Sequence, residues 1–271
     1  DFLLKDTEKT LLEKLCTAYH KAGKKVVIIL NIGGVLEKKK KKKLPDAILL
    51  AWQAGQEGGN SVADILSGKV NPSGKLAITF PVNYMDAASS ANFPYDYTPD
   101  AKAVIGGLTG NIPAHAPVRN LDYTYYEEGI YVGYRYFDTF EKPISYPFGY
   151  GLSYTTYNYS NLKIDKSAMR VDEVATVTVD VKNTGSRDGS EVVQMYITDD
   201  YSSLTRPVKE LKGFKRINLK AGESQTVTFK VDKDLLAYYD ANNKWQVEPG
   251  TFTIAVGPSS VKNDKVKLEV R

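Results

Sequence analysis

Five carboxylates stand where the chain could do chemistry: Glu57, Asp46, Glu127, Glu128 and Asp138. Two carboxyl groups that face each other can share the work of nucleophile and acid/base, the second with its pKa raised so that it gives and takes a proton. Glu127 and Glu128 are neighbours, so in a strand they point to opposite faces and cannot form such a pair. Glu57 sits in the glycine loop Gly55-Gln56-Glu57-Gly58-Gly59-Asn60, at the expected start of a helix. There a carboxylate is favoured by the helix N-terminal field, and a capping role is expected. Asp46 and Asp138 are expected to hold backbone groups or Arg135. None of the five is nominated as catalytic, and no substrate-binding residue is assigned. With His20, His115 and the single Cys16 there is no ordinary zinc ligand set and no internal disulfide. Asn31-Ile32-Gly33-Gly34 follows an apolar run, but it lacks the third glycine and the downstream acid of a dinucleotide site. It reads as a tight βα turn.

The elements that must position these groups fall into two halves. In the first, Asp6 and Thr7 are N-cap candidates before Leu11, Leu12, Leu15, Cys16 and Tyr19, which share one helical stripe closed by Gly23. Val26 to Leu30, Ala47 to Trp52 and Leu76 to Phe80 are apolar runs of the kind found in parallel strands covered on both faces. A short helix is expected from Asn60 to Leu66. This order predicts an α/β layer with a mainly parallel sheet. Val82 to Asn120, rich in Pro, Gly, Asn and Asp, reads as long loop.

From about residue 156 the period changes to two. Val174 to Val181, Glu191 to Ile197, Thr226 to Val231 and Thr251 to Val256 read as strands. Turn signals at Asn183-Thr184-Gly185, Lys220-Ala221-Gly222 and Glu248-Pro249-Gly250 separate them. About seven short strands in this length predict an immunoglobulin-type β-sandwich. Between the halves lie nine tyrosines from Tyr123 to Tyr154, broken by Gly129, Gly133, Gly149 and Gly151. Tyrosine joins a large apolar body to one polar end, which suits a seam between packed units.

The length of 271 residues is enough for two ordinary domains with real cores. The net charge of +4 is local: Lys38 to Lys43 supply six positive charges in one run, and without them the chain is slightly acidic. Six adjacent ammonium groups repel, so an exposed segment outside the core is expected there, and no nucleic-acid face is read from it. No apolar run reaches the roughly 18 residues of a membrane span, and no membrane partner is expected. Asp1-Phe2-Leu3-Leu4 opens without an initiator Met or a signal pattern, so part of a longer polypeptide is expected, with its compartment left open between cytoplasm and secretion or periplasm.

Four stretches together resemble the C-terminal portion of glycoside hydrolase family 3, β-glucosidase type. They are Gly55 to Asn60, Asn71-Pro72-Ser73-Gly74-Lys75-Leu76 with Thr79-Phe80-Pro81, Glu127 to Asp138, and Pro147-Phe148-Gly149-Tyr150-Gly151-Leu152-Ser153-Tyr154-Thr155. Lys182 to Tyr196 is similar to the fibronectin type III-like domain that ends such enzymes. The resemblance implies residues 1–120 as part of an α/β sandwich domain, 121–155 as a Tyr/Gly-rich connector, and 156–271 as the fibronectin-like domain. It implies retaining hydrolysis of a terminal β-linked sugar, with an oligosaccharide or β-glucoside as substrate and no metal or organic cofactor. The nucleophilic Asp on an N-terminal TIM-type barrel and the acid/base Glu of a Ser-Gly-Glu loop are both expected upstream, so the isolated chain is expected to be inactive. The barrel portion is the implied partner, and a homo-oligomer stays open. β-Xylosidase and N-acetylglucosaminidase specificities remain as variants, though Thr79-Phe80-Pro81 favours the glucosidase type. The rival class is a non-catalytic carbohydrate-binding or interaction module, whose Tyr and Trp faces would lie on an open surface.

Overall fold

The computed structural model describes residues 2–36, 45–92 and 126–271. The lysine run, most of the loop expected before Asn120, and Tyr123 and Tyr125 lie outside those residues.

Helix α1 spans Asp6–Lys21, with its N-cap at Lys5, one residue before the expected Asp6. The reason is local: the Glu8 carboxylate accepts the Lys5 N–H at 2.8 Å, closing the first turn. Gly23 ends it with φ +70°, a conformation glycine adopts at no steric cost. Strand β1 (Val27–Leu30) pairs in parallel with β2 (Ala47–Leu50), Val27 opposite Ala47 and Leu30 opposite Leu50. Helix α2 follows at Gly58–Leu66.

Asp46 fastens this unit. Its Oδ2 accepts the Val26 N–H at 2.8 Å and lies 2.8 Å from His20 Nε2, while Lys25 Nζ donates to Oδ1 at 2.9 Å. The Lys25 ammonium first, then the Val26 N–H and His20, hold its carboxyl well below the usual carboxylate range. A carboxyl depressed in the folded state contributes stability above its unfolded value, about 3.9, and loses that contribution as pH falls toward the folded value. Asp46→Asn should therefore lower the melting temperature at pH 7, and the gap from the parent should narrow between pH 5 and pH 2. Thermal melts across that range check it. A gap of constant size would assign the effect to shape rather than charge.

The third apolar run does not extend the parallel sheet. The Leu76 N–H donates to the Tyr150 carbonyl at 2.8 Å, and the Leu76 carbonyl accepts the Gly149 N–H at 2.7 Å, so the tyrosine-rich stretch takes these backbone groups. Only β3 (Phe80–Pro81) pairs, antiparallel to β4 (Ile144–Tyr146). Two short 3₁₀ turns, Tyr84–Asp86 and Ala88–Asn92, come next, and helix α3 covers Tyr134–Thr139.

The second half is the expected sandwich. One sheet is β10–β7–β5, with β5 at Tyr157–Ile164, β7 at Ala175–Asn183 and β10 at Ser224–Val231. The other is β6–β14–β13–β8–β9: Ala168–Met169, Asp264–Val270, Gly250–Gly257, Gly189–Asp199 and Glu210–Leu219. Strict alternation along β7 buries Ala175, Val177, Val179 and Val181 against Val193, Met195, Phe252, Ile254 and Leu268 from the facing sheet. Each fully buried aliphatic side chain contributes about 1.5–3 kcal/mol. Helix α4 (Lys233–Leu236) and the small hairpin of β11 (Tyr238–Tyr239) and β12 (Trp245–Gln246) complete this half.

The two halves bury apolar surface very unequally. Ahead of Tyr134, Cys16, Phe80 and Pro81 are the described apolar residues that are buried. Leu11, Leu15 and Tyr19 on α1, and Val27, Ile29 and Ile48 on the strands, are all exposed. Of the helical stripe, Cys16 is buried and Leu12 half-buried, but the edge formed by Leu11, Leu15 and Tyr19 is left uncovered by the described residues.

Candidate functional site

The parallel strands end together, and a crevice of about 610 Å³ opens at their carboxyl ends, between β1, β2 and the start of α2. Ligands of α/β sheets bind at such strand ends. Ile29, Ala51 and Val62 form its apolar wall, and Asn31 and Gln53 bring amides to it. Gly58 is needed for packing, since a Cβ there would meet Ala54 Cβ at 2.9 Å. At the end of β2, Trp52 is held with φ +51°, in the left-handed region, and its ring packs on Phe80 with centroids 6.3 Å apart. Backbone strain of this kind collects at functional sites. Its described lining carries two amide side chains and no charged one.

None of the five carboxylates forms a reactive pair in this structure. Glu57 is the N-cap of α2, as expected, but its carboxylate accepts the Asn60 side-chain amide at 2.6 Å rather than a backbone N–H. Glu127 and Glu128 lie in a turn, not a strand, because the Glu128 carbonyl accepts the Tyr131 N–H at 3.0 Å. Glu127 is exposed, whereas Glu128 Oε2 is buried without a hydrogen-bond partner among the described residues. Asp46 is committed to Val26, Lys25 and His20. Asp138 pairs with Lys209 Nζ at 3.2 Å, and Arg135 goes to Glu210 at 3.3 Å instead. Among the described residues no group of three His, Cys, Asp or Glu side chains is placed to hold a metal ion.

The stretches that carry the sequence pattern converge on the seam between the two halves. Asn71 Nδ2 donates to the Asp188 carbonyl at 2.9 Å, and its Oδ1 accepts Ser153 Oγ–H and the Tyr154 N–H, both at 2.8 Å. The Tyr154 hydroxyl donates to the Ile65 carbonyl at 2.8 Å. Lys75 Nζ reaches Glu191 Oε1 at 2.9 Å and donates to the Gly151 carbonyl at 3.1 Å, with both charged side chains nearly fully buried. The Tyr159 hydroxyl donates to the same Glu191 oxygen at 3.2 Å. Further along, the Leu211 N–H donates to the Tyr134 hydroxyl at 2.7 Å, and the Tyr134 ring packs on Phe148 and Tyr196. Burial raises the pKa of Tyr134, so it stays a neutral phenol. Gly149, at φ +81°, leaves no room for a Cβ beside the Gln194 amide, whose Nε2 donates to the Gly149 carbonyl at 3.2 Å. Tyrosine hydroxyls and glycines thus do in the seam what the sequence suggested.

The Lys75–Glu191 pair was missed in the sequence. A signal was present: Glu191 shares the alternation of Val193 and Met195, so it lies among inward-facing positions of β8.

Two family models match this chain. Residues 1–154 match the glycosyl hydrolase family 3 C-terminal domain, and residues 191–260 match the fibronectin type III-like domain. The periplasmic β-glucosidase of Salmonella typhimurium is 40% identical over 94% of this chain. The thermostable β-glucosidase B of Acetivibrio thermocellus is 40% identical over 91% of it. The chain spans about 30% of the length of each of these two relatives. The solved structure of β-glucosidase 3B from Thermotoga neapolitana in complex with α-D-glucose superposes on 99% of this chain with a TM-score of 0.82 and 40% identity, and the chain covers 34% of that protein.

Proposed function

Because the chain belongs to glycosyl hydrolase family 3, we propose that it is the C-terminal part of a retaining β-glucosidase-type enzyme acting on terminal β-linked glucose. The nucleophile and the acid/base come from upstream sequence. There one carboxylate attacks the anomeric carbon to give a glycosyl-enzyme, while the other protonates the leaving oxygen and then activates water. This chain supplies no reacting carboxylate. Its α/β half, assigned to residues 1–120, offers the amide-lined crevice and the uncovered apolar edge of α1 to the upstream barrel. The connector, 121–155, and the sandwich, 156–271, brace that half from the other side.

The observation that carries this reading is the commitment of the carboxylates: Asp46, Asp138, Glu57 and Glu191 already hold partners within the chain. Exposure of Leu11, Leu15 and Tyr19 on one face of α1 supports a large apolar partner there, since single domains rarely leave such patches open.

The test is the stereochemistry of the product. Proton NMR of an aryl β-glucoside hydrolysed by the full-length protein should show β-glucose first, turning to the equilibrium mixture later. Initial α-glucose would contradict retention, and absence of hydrolysis with transfer to a β-xyloside would contradict the sugar.

A further inference from the structure

The β11–β12 hairpin stands outside both sheets of the sandwich. Its first residue, Tyr238, is buried, with its hydroxyl 3.0 Å from Ser203 Oγ and the Arg206 guanidinium over its ring at 4.7 Å. Alternation then turns Tyr239 outward, where it is 63% exposed, directly across from Trp245, 50% exposed. The two ring centroids are 4.9 Å apart, with planes at 55°. Below the rings the turn is fixed. Asp240 Oδ1 accepts the N–H groups of Asn242 and Lys244, both at 2.8 Å, and the Asp240 N–H donates to the Lys244 carbonyl at 3.0 Å. The Asn242 side chain is turned back onto Asp240, whereas those of Asn243 and Gln246 are exposed and make no hydrogen bond among the described residues.

A cross-strand ring pair strengthens a hairpin, and that accounts for the inner contact of these rings. It does not account for two open faces beside two free amides. Elsewhere in the sandwich the strongly exposed Tyr201 and Phe214 stand without a ring partner among the described residues. The chemistry of the hairpin selects its occupant. Asp240 is spent on backbone N–H groups, and Lys244 is the one basic side chain on it, so neither a cation nor an anion finds a matching set. A pyranose does: it offers an apolar C–H face to an aromatic body and a rim of neutral hydroxyls to amides. We propose that Tyr239 and Trp245 form a stacking platform for a β-linked glucan chain, with Asn243 and Gln246 contacting its hydroxyls. The choice of glucan rests on the β-glucosidase reading. The platform holds a polymer beside the enzyme and takes no part in bond cleavage, and the fixed turn spares the cost of ordering the rings on binding.

Migration of the 271-residue chain in native gels cast with soluble mixed-linkage β-glucan tests this. The parent should be retarded, and Tyr239→Ala and Trp245→Ala should bind about tenfold more weakly, equivalent to ~1.4 kcal/mol of ring contact. Trp245→Phe should keep most of the retardation. Cellohexaose should shift tryptophan emission in the parent but not in Trp245→Phe, where Trp52 alone reports. If an alanine variant loses its fold, Gln246→Ala, which keeps both rings and the Asp240 turn, should still weaken retardation. No retardation of the parent, retardation unchanged in folded ring variants, or retardation by xylan in place of glucan would each overturn the proposal. Aryl glucoside hydrolysis by the full-length protein separates the two readings. Loss of retardation with hydrolysis intact sinks the platform alone, and absent hydrolysis sinks the enzymatic reading.

Discussion

Purified alone, the 271-residue chain should release no chromophore from an aryl β-glucoside above the buffer rate, while the full-length protein turns it over. Retaining hydrolysis needs two carboxyl groups about 5–5.5 Å apart, one free to attack and one able to hold a proton. Three of the five candidates are engaged within the described residues. Asp46 is held ionised by Lys25, Val26 and His20, which removes its value as an acid and crowds it as a nucleophile. Asp138 is bound to Lys209, and Glu57 to the Asn60 amide at the head of α2. Glu128 has one buried oxygen without a partner among the described residues, yet its neighbour Glu127 faces solvent from the same turn. Enzymes accelerate their reactions by at least about 10⁶-fold, so the difference between the two preparations should be of that order or more. The assay is absorbance of the released phenol across a gel-filtration profile. Turnover that follows the 30.1 kDa peak at enzyme-like rates would contradict the prediction.

A second large effect is expected at the seam. Lys75 and Glu191 are 11% and 5% exposed, 2.9 Å apart, and belong to different halves of the chain. Removing one member of a buried pair leaves the other charge without compensation, at a cost of about 3–5 kcal/mol. Glu191→Ala should reach that range, because Lys75 would keep only the Gly151 carbonyl and the Tyr159 hydroxyl would lose its acceptor. The double variant Lys75→Met/Glu191→Leu replaces both charges with apolar groups of similar size and should lie near the parent. Denaturant unfolding of the parent, Lys75→Met, Glu191→Leu and the double variant closes the cycle. Equal losses in the single and double variants would mean that packing around the pair, and not the charges, holds the halves together.

Elements set by local pattern were legible in the sequence. The β7 alternation, the Gly23 helix stop and the turn at Gly222, with φ +79°, each depend on residues close in the chain. What escaped depends on distant partners. Nothing near Leu76 announces that its backbone will pair with Gly149 and Tyr150 rather than with a parallel strand. Nothing near Lys75 announces a carboxylate 116 residues away. Glu127 and Glu128 were weighed as strand neighbours, but the Glu128 carbonyl accepts the Tyr131 N–H and closes a turn, a bond that their own types do not announce. Asn71 stood inside a quoted motif, but its role as the hinge pin between Asp188, Ser153 and Tyr154 required all three partners in place.

The central claim is that the reacting carboxylates lie outside these residues while the chain positions and braces them. A 2-deoxy-2-fluoro-β-glucoside with a good leaving group traps the glycosyl-enzyme of a retaining glycosidase, because the fluorine slows its hydrolysis. Labelling the full-length protein in this way, then sequencing the peptide that carries the added sugar, locates the nucleophile. The label should fall on a carboxylate upstream of Asp1, with every peptide from Phe2 to Arg271 unmodified. A sugar on Glu57, Glu127, Glu128 or any other acid of this chain would contradict the account.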